Sequence, residues 1–263
     1  MPEGHSLHRY ARALRADLAG DPLDVTSPQG RFGPEAQQLD GSVLRDAEAY
    51  GKNLLLHFAR DATVHVHLGL RGLFLRYDDP DAAPRKGTRL HLRGPRAAYD
   101  LIAPMTCALL DPSGVDCLVR SLGPDPLRED ADGKEAVRRL TGHRRSLGAA
   151  LLDQGAIAGV GNVYRAEVLY RQRLDPRTPA RDVPAAVLRA MWADLRILIE
   201  RGVRVGHILT RDDVPDDVRP EDGRYVYKQD RCRGCGAPVR VWDLDGRNCY
   251  ACETEQLASS TPT

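Results

Sequence analysis

The sequence has no long apolar run, few aromatic side chains and almost no net charge, and each shortage excludes something. No stretch approaches the roughly 20 apolar residues that a membrane-spanning helix needs. The first residues lack the basic-then-apolar pattern of a secretory signal, so no membrane association and a cytoplasmic protein are expected. With three Phe and two Trp there is no stacking platform of the kind that grips single-stranded RNA or DNA, which disfavours an RNA-associated module. Lys+Arg of 38 against Asp+Glu of 37 leaves a net charge of +1, so only local clustering of charge can speak for a polyanionic partner.

What is present is a soluble globular composition, 42% hydrophobic and 29% charged, in 263 residues: enough for one large or two modest domains plus an appendage. The first helix is expected from Leu7, with Tyr10, Ala11, Leu14 and Leu18 at helical spacing and Gly20 as its stop. From about Ser42 to Leu101 come short strand-forming runs, Leu54–Phe58, Thr63–Leu68 and Leu73–Tyr77, separated by Gly, Asp and Pro, as in a sandwich or barrel. Ser121–Leu127 reads as a linker, and helical texture follows. Val187, Met191, Leu195, Leu198 and Ile199 mark a long helix begun near Pro184, and Asp212–Gly223 reads as an acidic loop. The boundaries expected are therefore 1–123, 124–225 and 226–263.

Several short motifs carry chemistry. Removal of Met1 would leave the Pro2 ring nitrogen as a secondary terminal amine; an α-amine titrates at about 8, so a useful fraction is nucleophilic near neutrality. Attack on a sugar aldehyde carbon would give an iminium, and the adjacent Glu3 carboxylate can move the protons that step needs. Lys52 stands at the start of the Leu54 run, and Leu70 lies in a glycine-flanked loop where an apolar tip can act as a wedge. In Asp153-Gln154-Gly155-Ala156-Ile157-Ala158-Gly159-Val160-Gly161-Asn162 a glycine-rich stretch leads into a helix, whose amino terminus suits a phosphate, with Asn162 as cap and donor. Cys232, Cys235, Cys249 and Cys252 form two Cys-x2-Cys pairs, and in a cytoplasmic chain that clustering favours structural zinc over disulfides. Between the pairs, Val239–Trp242 and the turn signal Asp245-Gly246 predict a hairpin with Arg247 just past its tip, a natural phosphate fork.

Together these motifs resemble the formamidopyrimidine-DNA glycosylase and endonuclease VIII family of base-excision repair enzymes. The resemblance spans the chain: Pro2-Glu3, Gly51-Lys52, His67-Leu68-Gly69, Leu122-Gly123-Pro124-Asp125, Asp153-Gln154 with Ala158–Asn162, and the terminal finger. It implies an α+β, multidomain fold: an amino-terminal β-sandwich with a flanking helix, a helix-two-turn-helix domain and a zinc-finger β-hairpin, in a monomer that holds damaged or abasic double-stranded DNA between its domains. It also implies roles. Pro2 is the nucleophile at C1′, Glu3 the acid that assists sugar opening and base departure, and Lys52 the cation that contacts phosphate and assists elimination. Leu70 fills the gap left by a flipped base, Asn162 and Arg247 grip phosphate, and Arg247 also serves the second elimination. The start Pro2–His5 and the run Asn162–Glu167 stand closer to the endonuclease VIII branch, which favours oxidised pyrimidines; the alternatives are the purine-directed branch and a non-catalytic lesion-binding protein.

Three positions depart from the family pattern. Ser6 replaces a second acidic residue, and Gly69-Leu70-Arg71 makes the wedge a leucine beside a positive charge. In the finger, the hairpin arginine of the family stands five residues before the third cysteine, which from Arg247 reaches Cys252 and puts the fourth ligand position on Glu255. Either Cys249 supplies the missing thiolate from a shifted knuckle, or three cysteines and a carboxylate hold the metal, or the site is weakened, loses metal and loosens Arg247. The preference of structural zinc for sulfur favours Cys249.

Overall fold

Helix α1 (Gly4–Leu18) begins immediately after Glu3, three residues earlier than its apolar spacing predicts, because Glu3 is extended and Ser6 N–H closes the first turn on the Glu3 carbonyl. The computed structural model describes residues 2–257, and the chain divides into two units, Met1–Ser121 and Leu122–Thr263.

In the first unit α1 buries Leu7, Ala11, Leu14 and Leu18, one stripe of a 3.6-residue period, against the strands that follow. Two four-stranded antiparallel sheets form the sandwich. One has the order β2 (Leu44–Tyr50), β3 (Asn53–Phe58), β4 (Thr63–His67), β8 (Thr106–Leu110); the other is β1 (Asp24–Thr26), β6 (Thr88–Arg93), β7 (Ala98–Ile102), β5 (Leu73–Tyr77). Leu54, Leu56, Val64, Val66, Leu90, Leu92 and Leu101 are buried in one core, each contributing about 1.5–3 kcal/mol on leaving water. Two short helices, α2 (Gly33–Leu39) and α3 (Pro112–Ser121), complete the unit. The sequence texture foresaw β3, β4 and β5 but neither of these helices.

The second unit is helical at first. Helices α4 (Gly133–Thr141), α5 (Leu147–Ala150), α6 (Asn162–Arg171) and α7 (Ala185–Val205) pack around Leu140, Leu147, Val168, Leu188, Met191 and Leu195. The long helix starts after Pro184 as its periodicity predicts and ends at Gly206, left-handed with φ 92°. Asp212–Gly223 contains no helix or strand. Then β9 (Val239–Leu244) pairs with β10 (Arg247–Cys252), with Asp245 and Gly246 both at positive φ, 55° and 76°, as a tight two-residue turn requires. A single π-helical turn, Glu253–Leu257, follows β10. The architecture is thus a β-sandwich with a flanking helix, a helical domain and a cysteine-bearing β-hairpin. Among the described residues no helix is long and apolar enough to cross a membrane.

Candidate functional site

In the first unit the candidate residues lie at the amino end of α1 and at one end of the β3–β4 ladder. Pro2 is half-buried and Glu3 wholly buried, directly ahead of the first turn of a 15-residue helix. The free N–H groups and positive dipole end of that helix lie where a terminal amine would be. Lys52 occupies the two-residue turn Gly51-Lys52 of the β2–β3 hairpin, where Tyr50 pairs with Asn53 and Gly51 has φ 60°. The glycine is required there: a side chain at positive φ is strained.

Around Lys52 is a cluster that sequence reasoning quoted without a role. The His67 ring has its pKa lowered from 6.5, first by burial and then by the Lys52 cation; His65 is lowered by burial and then by His67. Both rings are thus held towards the neutral form. Gly69 N–H donates to His67 Nδ1 at 3.1 Å, which places the proton of the neutral ring on Nε2, and His65 Nε2 meets Asn53 Oδ1 at 2.9 Å. Gly69 (φ 65°) turns the chain so that Leu70 is 58% exposed, and a Cβ at Gly69 would lie 2.9 Å from the Cβ of Met105, itself 69% exposed. Two large apolar side chains thus project beside this turn rather than into the core. The alternation of β4 and the lone Lys52 give no sign of this, because the cluster is assembled by cross-strand register.

In the second unit the glycine-rich turn is stapled by Gln154, whose Nε2 donates to the Leu152 and Val160 carbonyls at 3.0 and 3.1 Å while its Oε1 accepts from Gly159 N–H at 3.1 Å. Gly159, at φ 91°, needs the freedom of glycine. Asn162 does not cap α6 as expected: Gly161 is the cap residue and Asn162 is the first helical residue. Its side chain reaches the hairpin instead, Nδ2 donating to the Asn248 carbonyl at 3.0 Å. Arg247 is exposed and opens β10, next to Asn248. The hairpin tip is tied back by Arg145 to Asp245 at 2.7 Å, and Arg177 stacks over Trp242.

The cysteines divide differently from expectation. Cys232, Cys235 and Cys252 bring their Sγ atoms within 4.8 Å of one another, and Cys249 is not among them. Strand geometry is the reason: side chains of β10 alternate faces, so residues three apart point to opposite sides, and Cys252 turns to the cluster while Cys249 turns away. Cys249 is buried with its thiol pushed up to about 11, first by burial, with Arg165 pulling the other way. At the cluster, burial alone would raise Cys232, but the Tyr170 hydroxyl, the Cys235 and Gly234 N–H groups and the Cys235 thiol outweigh it and hold its pKa below the usual thiol value. Gly234 N–H bonds Cys232 Sγ and Glu255 N–H bonds Cys252 Sγ, each at 3.4 Å. Three convergent sulfurs, two of them accepting backbone N–H bonds, fit a metal ion. Tyr170 was missed because it lies on α6, over 60 residues before the first cysteine pair.

Comparison with known proteins identifies the family. Residues 1–100 match the formamidopyrimidine-DNA glycosylase N-terminal domain and residues 122–213 the formamidopyrimidine-DNA glycosylase H2TH domain. The chain is 42% identical to endonuclease 8 1 of Mycobacterium tuberculosis over 96% of its own length and 98% of that protein's. It is 32% identical to the formamidopyrimidine-DNA glycosylase of Rhodospirillum rubrum, covering 83% of this chain and 76% of that protein. Among solved structures, the Lactococcus lactis formamidopyrimidine-DNA glycosylase bound to DNA with an abasic site superposes with a TM-score of 0.78 over 97% of this chain and 99% of that one, at 21% identity. Sandwich, helical domain and hairpin are therefore those of one group of repair enzymes: the chain belongs to the formamidopyrimidine-DNA glycosylase and endonuclease VIII family, DNA glycosylases that also cleave at abasic sites.

Proposed function

We propose that this enzyme excises oxidised bases from double-stranded DNA, pyrimidines ahead of purines, through a Schiff base on Pro2, and then cuts the strand by β,δ-elimination. The observation that carries the reading is the placement of Pro2 and buried Glu3 immediately before α1. Once Met1 is removed, the Pro2 nitrogen stands at the positive end of a helix dipole, which disfavours its charged form and keeps the amine nucleophilic at neutral pH. A damaged base leaves the duplex most cheaply, and the exposed Leu70 would fill the space it vacates.

The Pro2 nitrogen attacks C1′ and the bond from C1′ to the base breaks, the base departing with the proton that the amine gives up. Glu3 protonates the ring oxygen as the sugar opens, which leaves an iminium between C1′ and Pro2. The iminium acidifies the C2′ hydrogen; its removal breaks the C3′–O bond, and a second elimination breaks C5′–O. Lys52 steadies the phosphate and assists the first elimination, while Asn162 and Arg247 hold the backbone and Arg247 assists the second. The stronger likeness to an endonuclease 8 supports the pyrimidine preference.

Cys232, Cys235 and Cys252 would hold zinc; Glu255 bonds Cys252 through its backbone N–H, but its carboxylate is not among the converging groups and pairs with Arg173 at 3.3 Å. Zinc would supply folding energy to the finger and fix the hairpin that carries Arg247. The chain is proposed to act as a monomer in the cytoplasm.

The test is single-turnover excision from matched duplexes carrying either an oxidised pyrimidine or an oxidised guanine. Faster release of the pyrimidine is expected. Faster release of the guanine lesion would move the enzyme to the purine-directed reading.

A further inference from the structure

Among the described residues the largest wholly buried side chain is a cation, Arg165, on α6. Its position is poor for stability. It lies in the first turn of the helix, at the positive end of the dipole, and a buried charge loses its hydration. An apolar residue of similar volume usually serves stability as well or better. What the guanidinium does make is a specific set of hydrogen bonds. Nη2 donates to Asn162 Oδ1 and, at 2.8 Å, to the Asn248 carbonyl, and Nη1 lies 3.4 Å from the Gly148 carbonyl. The Asn248 carbonyl also accepts from Asn162 Nδ2 at 3.0 Å. Arg165, Asn162 and the backbone just after Arg247 therefore close a ring of hydrogen bonds between the start of α6 and β10.

The chemistry of that ring fixes orientation. A guanidinium only donates, so the carbonyl oxygen of the Asn162 carboxamide must face it and Nδ2 must face away, with one hydrogen on Asn248 and a second for another acceptor. Both lone pairs of the Asn248 carbonyl are taken, which fixes the strand at the residue following Arg247.

We propose that Arg165 is a positioning residue for DNA backbone binding: it sets the Asn162 carboxamide and the Arg247 strand at one fixed separation, without touching DNA itself. Its side chain is 0% exposed, so it can act only through these partners. The inference rests on the phosphate-gripping roles proposed for Asn162 and Arg247.

The probe is a duplex carrying a tetrahydrofuran abasic-site analogue, which the Pro2 amine cannot attack. Arg165→Met is expected to weaken binding about tenfold or more, since a hydrogen bond to a charged group contributes about 1.5–3 kcal/mol and about 1.4 kcal/mol is tenfold in affinity. Arg165→Lys keeps the charge but loses the planar fork that puts one nitrogen on Gly148 and the other on Asn162 and Asn248, and is expected to weaken binding about threefold; it is the fallback if the methionine variant does not fold. The decisive arm is the double variant with Asn162→Ala: residues acting as one unit are non-additive, so it should bind within about twofold of the weaker single variant. In turnover read as base release, a step that Arg247 does not serve, KM should rise with the loss of affinity while kcat changes by less than about threefold, a split that general destabilisation does not produce. The proposal is overturned if folded Arg165 variants bind as the parent does, if the two losses multiply, or if Asn162→Ala binds as the parent while Arg165→Met is weak. This binding needs no covalent chemistry, so a failure of the Pro2 mechanism leaves it standing and is seen separately as a missing covalent adduct.

Discussion

The carboxylate of Glu167 receives the backbone N–H groups of Tyr225, Val226 and Tyr227 at 2.7, 2.9 and 2.7 Å, and the Thr210 hydroxyl. It is wholly buried, and it anchors the segment that leads from the helical region into the finger. Glu167→Gln would set an amide NH2 against donors that need an acceptor, so the second unit should lose about 2–4 kcal/mol, read as a lower denaturant midpoint. Gly123 is constrained by contact instead. A Cβ there would lie 2.5 Å from the Ala156 carbonyl carbon, which is backbone and cannot rotate aside. Gly123→Ala should cost about 1–3 kcal/mol in the same assay, and a midpoint unchanged from the parent would refute the contact argument. Neither effect is visible in the chain order. Leu122-Gly123-Pro124-Asp125 reads as a linker, and the donors to Glu167 come more than 40 residues later.

The β9–β10 hairpin is the element in which sequence and structure part most informatively. Its strands, its Asp245-Gly246 turn and the place of Arg247 at its tip are all legible, because turn chemistry and β-formers are local signals. The metal-ligand set is not, since it depends on which face of β10 each cysteine occupies. Counting Cys-x2-Cys pairs suggests four equivalent thiols, whereas strand alternation separates Cys249 from Cys252. Cys252→Ser should therefore lose bound zinc, and Cys249→Ser should keep it, as measured by metal content of the intact protein; zinc loss on Cys249→Ser alone would restore Cys249 to the ligand set. The first helix shows the same division. Its apolar stripe predicts the buried face, but its start is set by the backbone of Glu3, which no periodicity reports.

At the scale of the whole molecule, stability and chemistry respond to pH through different groups. His65 and His67 have folded pKa values below 6.5, so as pH falls the unfolded chain takes up their protons first. Their contribution is complete above pH 6.5 and is lost as pH falls towards the lowered folded values. Asp100 adds a second loss at lower pH. Burial opposes its ionisation, but the Arg85 N–H, His91 and Tyr77 bonds outweigh that and hold its pKa below 3.8, so its contribution is present above that value and lost beneath it. The first unit should consequently melt at lower temperature at pH 5 than at pH 7.5, and replacing His67 by Gln should reduce that difference. The motifs that identify the family are scattered from Pro2 to Cys252 and were readable in order; Tyr170 at the sulfur cluster and Arg165 beneath Asn162 were not, because each acquires its partners only when distant segments meet. The whole reaction turns on the nucleophile. Borohydride reduction of the enzyme on abasic DNA, followed by peptide mapping of the covalent adduct, should place the DNA remnant on the Pro2 nitrogen of a chain that has lost Met1; an adduct on Lys52, or none at all, would contradict it.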